Sequence, residues 1–145
     1  MQNRETESSF SQLTPVDQYL TIFLFNERKK DYPTGVVHEL FEAQVRKNPE
    51  AVAVAYRDQE ITYGQLDQAA NQLANYLIKK GVQPESFVGI SVNRSLEMIV
   101  SILATLKTGA AYIPIEPSFP PDLVKFMVSD SSPVAIITSN EHAPK

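Results

Sequence analysis

From residue 35 onward, the spacing of apolar positions switches between a helical and a strand period. Val37, Leu40, Phe41 and Val45 recur at helical spacing, and Asn48-Pro49 closes that segment. The run from Ala51 to Tyr56 is short and continuously apolar, the pattern of a buried strand. A polar turn at Arg57-Asp58-Gln59-Glu60 follows, and Glu60-Ile61-Thr62 is placed to pair back as a second short strand. Thr62-Tyr63-Gly64-Gln65 fits a capping box, in which the threonine hydroxyl accepts an orphan N–H and the glutamine reaches back. The helix it opens carries Tyr63, Leu66, Ala70, Leu73 and Leu77 on one face. Lys79-Lys80-Gly81 stops it with cations at the negative dipole end and a glycine beyond the last turn.

The second half repeats this alternation. Phe87 to Ser91 is a strand, Ser95 caps a helix over Leu96–Lys107, and Gly109 ends that helix. The helix is apolar almost all round from Met98 to Leu106, so it should be covered on both sides. Ala111 to Ile115 is a strand whose Pro114 suits an edge or a bulge. Pro121–Asp130 is a further helix and Val134–Thr138 a further strand. Apolar strands alternating with helices predict βαβ units: an α/β fold with a parallel-type sheet covered by helices. Upstream, residues 1–12 are polar. Thr14-Pro15 marks a helix start, and residues 13–34 read as a short helix plus a linker with apolar anchors at Leu13, Val16, Leu20, Ile22, Phe23 and Phe25. The expected division is a flexible, linker-like segment over 1–34 and a folded part over 35–145.

Composition narrows the partners. The chain has 145 residues, and 13 bases against 17 acids leave a formal charge of −4, without the basic excess that phosphate backbones require. There is no cysteine, which excludes disulfides, thiolate zinc sites and a cysteine nucleophile. No apolar run approaches the roughly 18 residues of a membrane span, and the polar start Met1 to Ser9 does not read as a signal peptide.

No catalytic constellation stands out. His38 lies beside Glu39 and Glu42 with no second histidine one turn away, and His142 sits in a polar tail. Asp58, Asp67, Glu85, Glu97, Glu116 and Asp122 are scattered, read as solvated helix faces, and their spacing selects no pair. A phosphate-cradling loop needs clustered glycines so that backbone N–H groups can approach the ligand. The five glycines, at 35, 64, 81, 89 and 109, are too dispersed to build one. Lys107 reads as a cation at the C-terminal end of its helix. Arg94 is held by Glu97 or Glu116, or touches a part of the protein outside these residues.

Two segments carry a family resemblance. Ile61-Thr62-Tyr63-Gly64-Gln65-Leu66 resembles the first core motif of nonribosomal peptide synthetase adenylation domains. The stretch from Leu106-Lys107-Thr108-Gly109-Ala110-Ala111 through Tyr112-Ile113-Pro114-Ile115-Glu116-Pro117 resembles the second. Val37 to Val45, Asn48 to Val54, Asn71 to Ala74 and Asn93 to Met98 are also similar, and Leu13 to Pro33 resembles the linker that precedes such domains. Glu116 stands where the family usually has Asp, and Thr108-Gly109-Ala110-Ala111 where it often has Ala-Gly-Gly-Ala.

The resemblance implies the first part of the large N-terminal subdomain of an adenylate-forming enzyme (the AMP-dependent synthetase and ligase superfamily). It implies a parent activity that uses ATP and magnesium to activate an amino acid as its adenylate and passes it to a carrier-protein phosphopantetheine thiol. It also implies a cytoplasmic setting, with the rest of the adenylation domain and neighbouring synthetase domains as partners. The family's phosphate loop, its adenine and ribose motifs, its substrate pocket and its lid lysine have no counterpart here, so this fragment is expected to be inactive and to hold no cofactor, and no catalytic, cofactor or metal residue is carried over. MbtH-like accessory proteins dock near the second motif in part of the family, which makes Ala110 and Ala111 the candidate contact. Two other readings stand beside this one: a stand-alone docking or scaffold module derived from such a domain, and a fragment of an acyl-CoA ligase relative.

Overall fold

The computed structural model describes residues 14–20 and 34–139. The chain divides into two compact units, Met1–Thr34 and Gly35–Lys145. Within the first, α1 spans Pro15–Tyr19. Thr14 caps it, its hydroxyl oxygen accepting from the Asp17 N–H at 3.2 Å, and Pro15 takes the first helical position, where a missing N–H costs nothing. Leu13, Ile22, Phe23 and Phe25, expected to anchor this segment, lie outside the described residues, as do His142 and the last residues to Lys145.

The second unit opens with α2, Val37–Lys47. An antiparallel hairpin of β1, Val52–Tyr56, and β2, Gln59–Thr62, follows. The two-residue connection Arg57-Asp58 holds Arg57 at φ 54°, the left-handed backbone that tight hairpin turns demand. The register shifts between Val52 and Val54, a bulge that leaves Val54 opposite Ile61. The hairpin leads directly into α3, Tyr63–Lys79, through the anticipated capping box. The Gln65 N–H donates to the Thr62 hydroxyl oxygen at 3.2 Å, and the Thr62 N–H donates to Gln65 Oε1 at 3.0 Å.

The remaining elements are β3, Phe87–Ser91; α4, Leu96–Lys107; β4, Ala111–Pro114; α5, Pro121–Ser131; and β5, Ala135–Thr138. The three strands form a parallel sheet in the order β4-β3-β5. Pro114 therefore stands on an edge strand, where its missing N–H breaks no ladder bond. The α/β architecture expected from the pattern holds, with one correction. The run Val52–Tyr56 is not part of the parallel sheet. It pairs only with β2, and Val52 and Ala55 are exposed, because a two-residue connection forces antiparallel pairing and a parallel crossover needs a dozen residues or more.

The core lies between α3, α4 and one face of the parallel sheet. Leu66, Ala70, Ala74 and Leu77 from α3 meet Leu103 and Ala104 from α4, with Val82, Val88 and Ala110 beneath. Small residues at 70, 74 and 104 let the two helices approach closely. Ser101 and Thr105 are buried on α4, and their hydroxyls donate to the carbonyl oxygens of Glu97 and Ser101 at 2.7 and 2.8 Å, so neither is left unsatisfied. Side chains alternate along β3, so Val88 faces this core while Phe87 and Gly89 face the other side. That second face is thinly covered: Phe87 and Ile136 are exposed, and α5 buries none of its residues. The helices expected to cover the sheet thus pack closely on one face, and the other face is more open.

Candidate functional site

The first motif does its work at the junction of β2 and α3. Gly64 sits where the chain passes the Pro49 carbonyl. Its N–H donates to that oxygen at 2.8 Å, and a Cβ at this position would stand 3.2 Å from the same oxygen. The glycine thus suits a close backbone approach that a larger residue would crowd. The adjacent Tyr63 N–H donates to the Ala51 carbonyl at 3.0 Å, so this motif welds α3 to the start of the hairpin.

The second motif builds the exit from α4. Thr108 donates its hydroxyl to the Thr105 carbonyl at 2.7 Å and accepts from the Ala110 N–H at 3.3 Å. Gly109 takes φ +77°, and an added Cβ would meet Pro84 at 3.2 Å. The Gly109 carbonyl accepts from the Glu85 N–H, and the Ala111 N–H donates to the Ser86 carbonyl, each at 2.9 Å. The turn before β3 and the start of β4 are thereby held side by side.

Lys107, the residue that opens this turn, stands in the last turn of α4 as its position suggested, but it also has tertiary partners. Its side chain is only 6% exposed, and its ammonium pairs with Glu42 from α2 and with Asp67 from α3, the latter at 3.0 Å. Burial pulls the ammonium pKa down, but hydrogen bonds to the two carboxylates and their charges outweigh it and hold it above its ordinary value. Glu42 is held below the usual carboxylate value, first by its hydrogen bond to Lys107 and then by the charges of Lys107, His38 and Arg46. Asp67 also accepts from Asn71 at 2.9 Å. Asp67, read as solvated, is therefore with Glu42 a partner of one buried cation. The pairing escapes the sequence because Glu42 and Lys107 stand 65 positions apart. The available signal is a lysine closing a helix that is apolar almost all round from Met98 to Leu106.

A cavity of about 830 Å³ opens at the carboxyl ends of β3 and β5, where open parallel sheets commonly place their ligands. Leu73, Val100 and Ile137 form its apolar wall, and Asn93, Ser95 and Ser139 its polar rim. Ser95 caps α4 through the Met98 N–H at 3.3 Å. Glu97, also in the lining, has its carboxyl held low by a hydrogen bond from its own backbone N–H and by the Ser95 side chain. Among the described residues, no three or more His, Asp or Glu side chains cluster to hold a metal ion. Arg94 is exposed and forms no ion pair among the described residues with either Glu97 or Glu116, while His38 is half-buried on α2.

The two alanines of the second motif part ways. Ala110 is buried in the core and Ala111 is exposed at the start of the edge strand β4. They do not form one surface, and only Ala111 with its half-exposed neighbour Tyr112 is open to solvent.

Two motifs shape the helix-to-strand junctions of a parallel α/β sheet with an open crevice at its carboxyl ends, and comparison with known proteins places this fold in a family. The family model described as AMP-binding enzyme matches residues 41–145, and the chain belongs to that family. It is 50% identical over 115 residues to one of the linear gramicidin synthase proteins of Brevibacillus parabrevis, covering 79% of this chain and 2% of that protein. It is 40% identical over 138 residues to bacitracin synthase 2 of Bacillus licheniformis, covering 95% of this chain and 5% of that protein. In structure it superposes on the nonribosomal peptide synthetase FmoA3 with a TM-score of 0.74 and 28% identity, over 80% of this chain and 12% of that one. The chain thus spans only a few per cent of the curated relatives it matches. Among its described residues, no helix is long and apolar enough to cross a membrane.

Proposed function

We propose that these residues are part of the adenylation domain of a nonribosomal peptide synthetase. The whole domain activates an amino acid with ATP and magnesium as the aminoacyl adenylate, releases pyrophosphate, and delivers the acyl group to a carrier-protein phosphopantetheine thiol. The observation that carries this reading is identity of 40–50% to gramicidin and bacitracin synthases across both motifs, with those motifs sitting at the junctions that order the sheet. The same identity favours a partial adenylation domain over a free-standing docking module.

No glycine-rich phosphate loop stands in this sequence, so the residues that hold ATP and magnesium are expected elsewhere in the whole domain. The contribution of this part is architectural: it fixes the parallel sheet on which the activating residues of the whole domain stand. Neighbouring synthetase domains are its partners in the full protein, and its setting is the cytoplasm. The exposed start of β4, Ala111 beside Tyr112, is the surface that fits an MbtH-like accessory protein, with buried Ala110 acting only as support.

The test is a graft. Residues 35–145 replace the corresponding stretch of a related synthetase, and amino-acid-dependent ATP–pyrophosphate exchange is measured. We expect exchange in the folded graft and none from the 145-residue chain alone. A graft that melts cooperatively yet exchanges no pyrophosphate overturns the reading. For the accessory surface, Ala111→Arg should abolish co-purification of an MbtH-like protein with the graft, and unchanged binding refutes that contact.

A further inference from the structure

We propose that α2 is a detachable strap, clasped to the α3–α4 layer chiefly by Glu42 and able to leave without stranding a buried charge. Three observations carry this. First, α2 buries none of its eleven residues, although it packs on both α3 and α4. Its apolar anchor is half-buried Phe41, which packs on the core and lies 5.8 Å, centroid to centroid, from the Tyr63 ring. Second, its charged anchor is Glu42, on the buried ammonium of Lys107. Third, that ammonium has another carboxylate partner on a different element, Asp67 of α3, 3.0 Å away.

The third observation makes the strap a device. Removing the sole partner of a buried cation is strongly unfavourable, because the charge is left uncompensated in a poorly solvated site. Here Asp67 stays with Lys107 when α2 lifts, since both belong to the α3–α4 layer. The departing Glu42, whose side chain is already 37% exposed, returns to water at little cost. Opening therefore gives up the partly buried contacts of Phe41 to Val45 and one partly solvated ion pair, with no fully buried side chain exposed from α2. This inference concerns the fold of residues 35–139 and holds whether or not the adenylation reading does.

Hydrogen exchange of the full chain tests it. In the unmodified protein, the amides of α2 should exchange through an opening that leaves the buried stretches of α3 and α4 protected. Glu42→Gln should speed exchange over α2 by roughly three- to tenfold with α3 and α4 unchanged, the size expected for a partly solvated, charge-assisted contact. Asp67→Asn should instead speed exchange across all three helices, because it removes the partner that Lys107 keeps on opening. Uniform protection of α2, α3 and α4 in the unmodified chain overturns the proposal, and so does a Glu42→Gln effect spread equally over the three. Unprotected α3 and α4 overturn it as well, for then there is no layer to be strapped.

Discussion

Gly109 shows how much a single backbone position decides. Its φ of +77° belongs to the left-handed region, and the space a side chain would fill is taken by Pro84. Gly109→Ala meets both penalties, about 1–2 kcal/mol for the backbone and more for displacing Pro84. Chemical denaturation should show a lower midpoint with an unchanged slope. Arg57 is the converse case. It holds φ 54° in the hairpin connection and spends its side chain only on a cation–π contact with Tyr56 at 5.2 Å. Arg57→Gly relieves the backbone of about 1 kcal/mol and forfeits an exposed contact worth about half of that or more, so the balance is near zero or slightly stabilising. The same measurement checks it: a loss above about 1 kcal/mol would mean that the ring contact, not the backbone, dominates the turn.

At the scale of elements, legibility follows the range of the interaction. The capping box of α3, the Ser95 cap and the span Leu96–Lys107 rest on contacts within four residues, and such contacts are written in the local sequence. The pairing of Lys107 with Glu42 and Asp67 is tertiary, and no local rule points to it. The hairpin strand β1 reads as a strand of the parallel sheet because a short apolar run looks the same whether its partner is parallel or antiparallel. Of the candidate site, the two motifs are legible as segments. Only the fold separates buried Ala110 from exposed Ala111.

The ion cluster also has a pH signature whose sign is fixed. Glu42 has a lowered pKa, so its contribution is complete above the ordinary carboxylate value of 4.5 and is lost as pH falls through the folded value. Lys107 has a raised pKa, so its contribution is complete below 10.5 and is lost as pH rises through the folded value. Stability should therefore fall away on both sides of that window. Glu42→Gln should flatten the acid arm and leave most of the alkaline arm in place, since Asp67 still faces the lysine. Urea titrations across pH measure both arms, and an acid arm identical in the variant would remove Glu42 from the account.

Taken as a whole molecule, the second unit packs tightly on one side of its sheet and is more open on the other. Between α3, α4 and the inner sheet face, the packing is tight enough for Val88, Ala70 and Ala104 to show no exposed surface. The outer face is different. Phe87 and Ile136 lie open there at 44% and 46%, Phe126 of α5 is 66% exposed, and β5 is an edge strand. Apolar surface of this extent beside an unpaired edge promotes association. The 145-residue chain should therefore bind a hydrophobic dye while folded and should sediment as concentration-dependent oligomers. Ile136→Lys places a charge on the open face at the edge, away from the inner core that Ala135 and Ile137 join. It should cut association at least severalfold while the chain stays folded, at the cost of the packing that half-exposed Ile136 makes over Gly89. An unmodified chain that stays monomeric and dye-negative at high concentration would show that the outer face is covered. An Ile136→Lys variant that unfolds would show that the outer face belongs to the core.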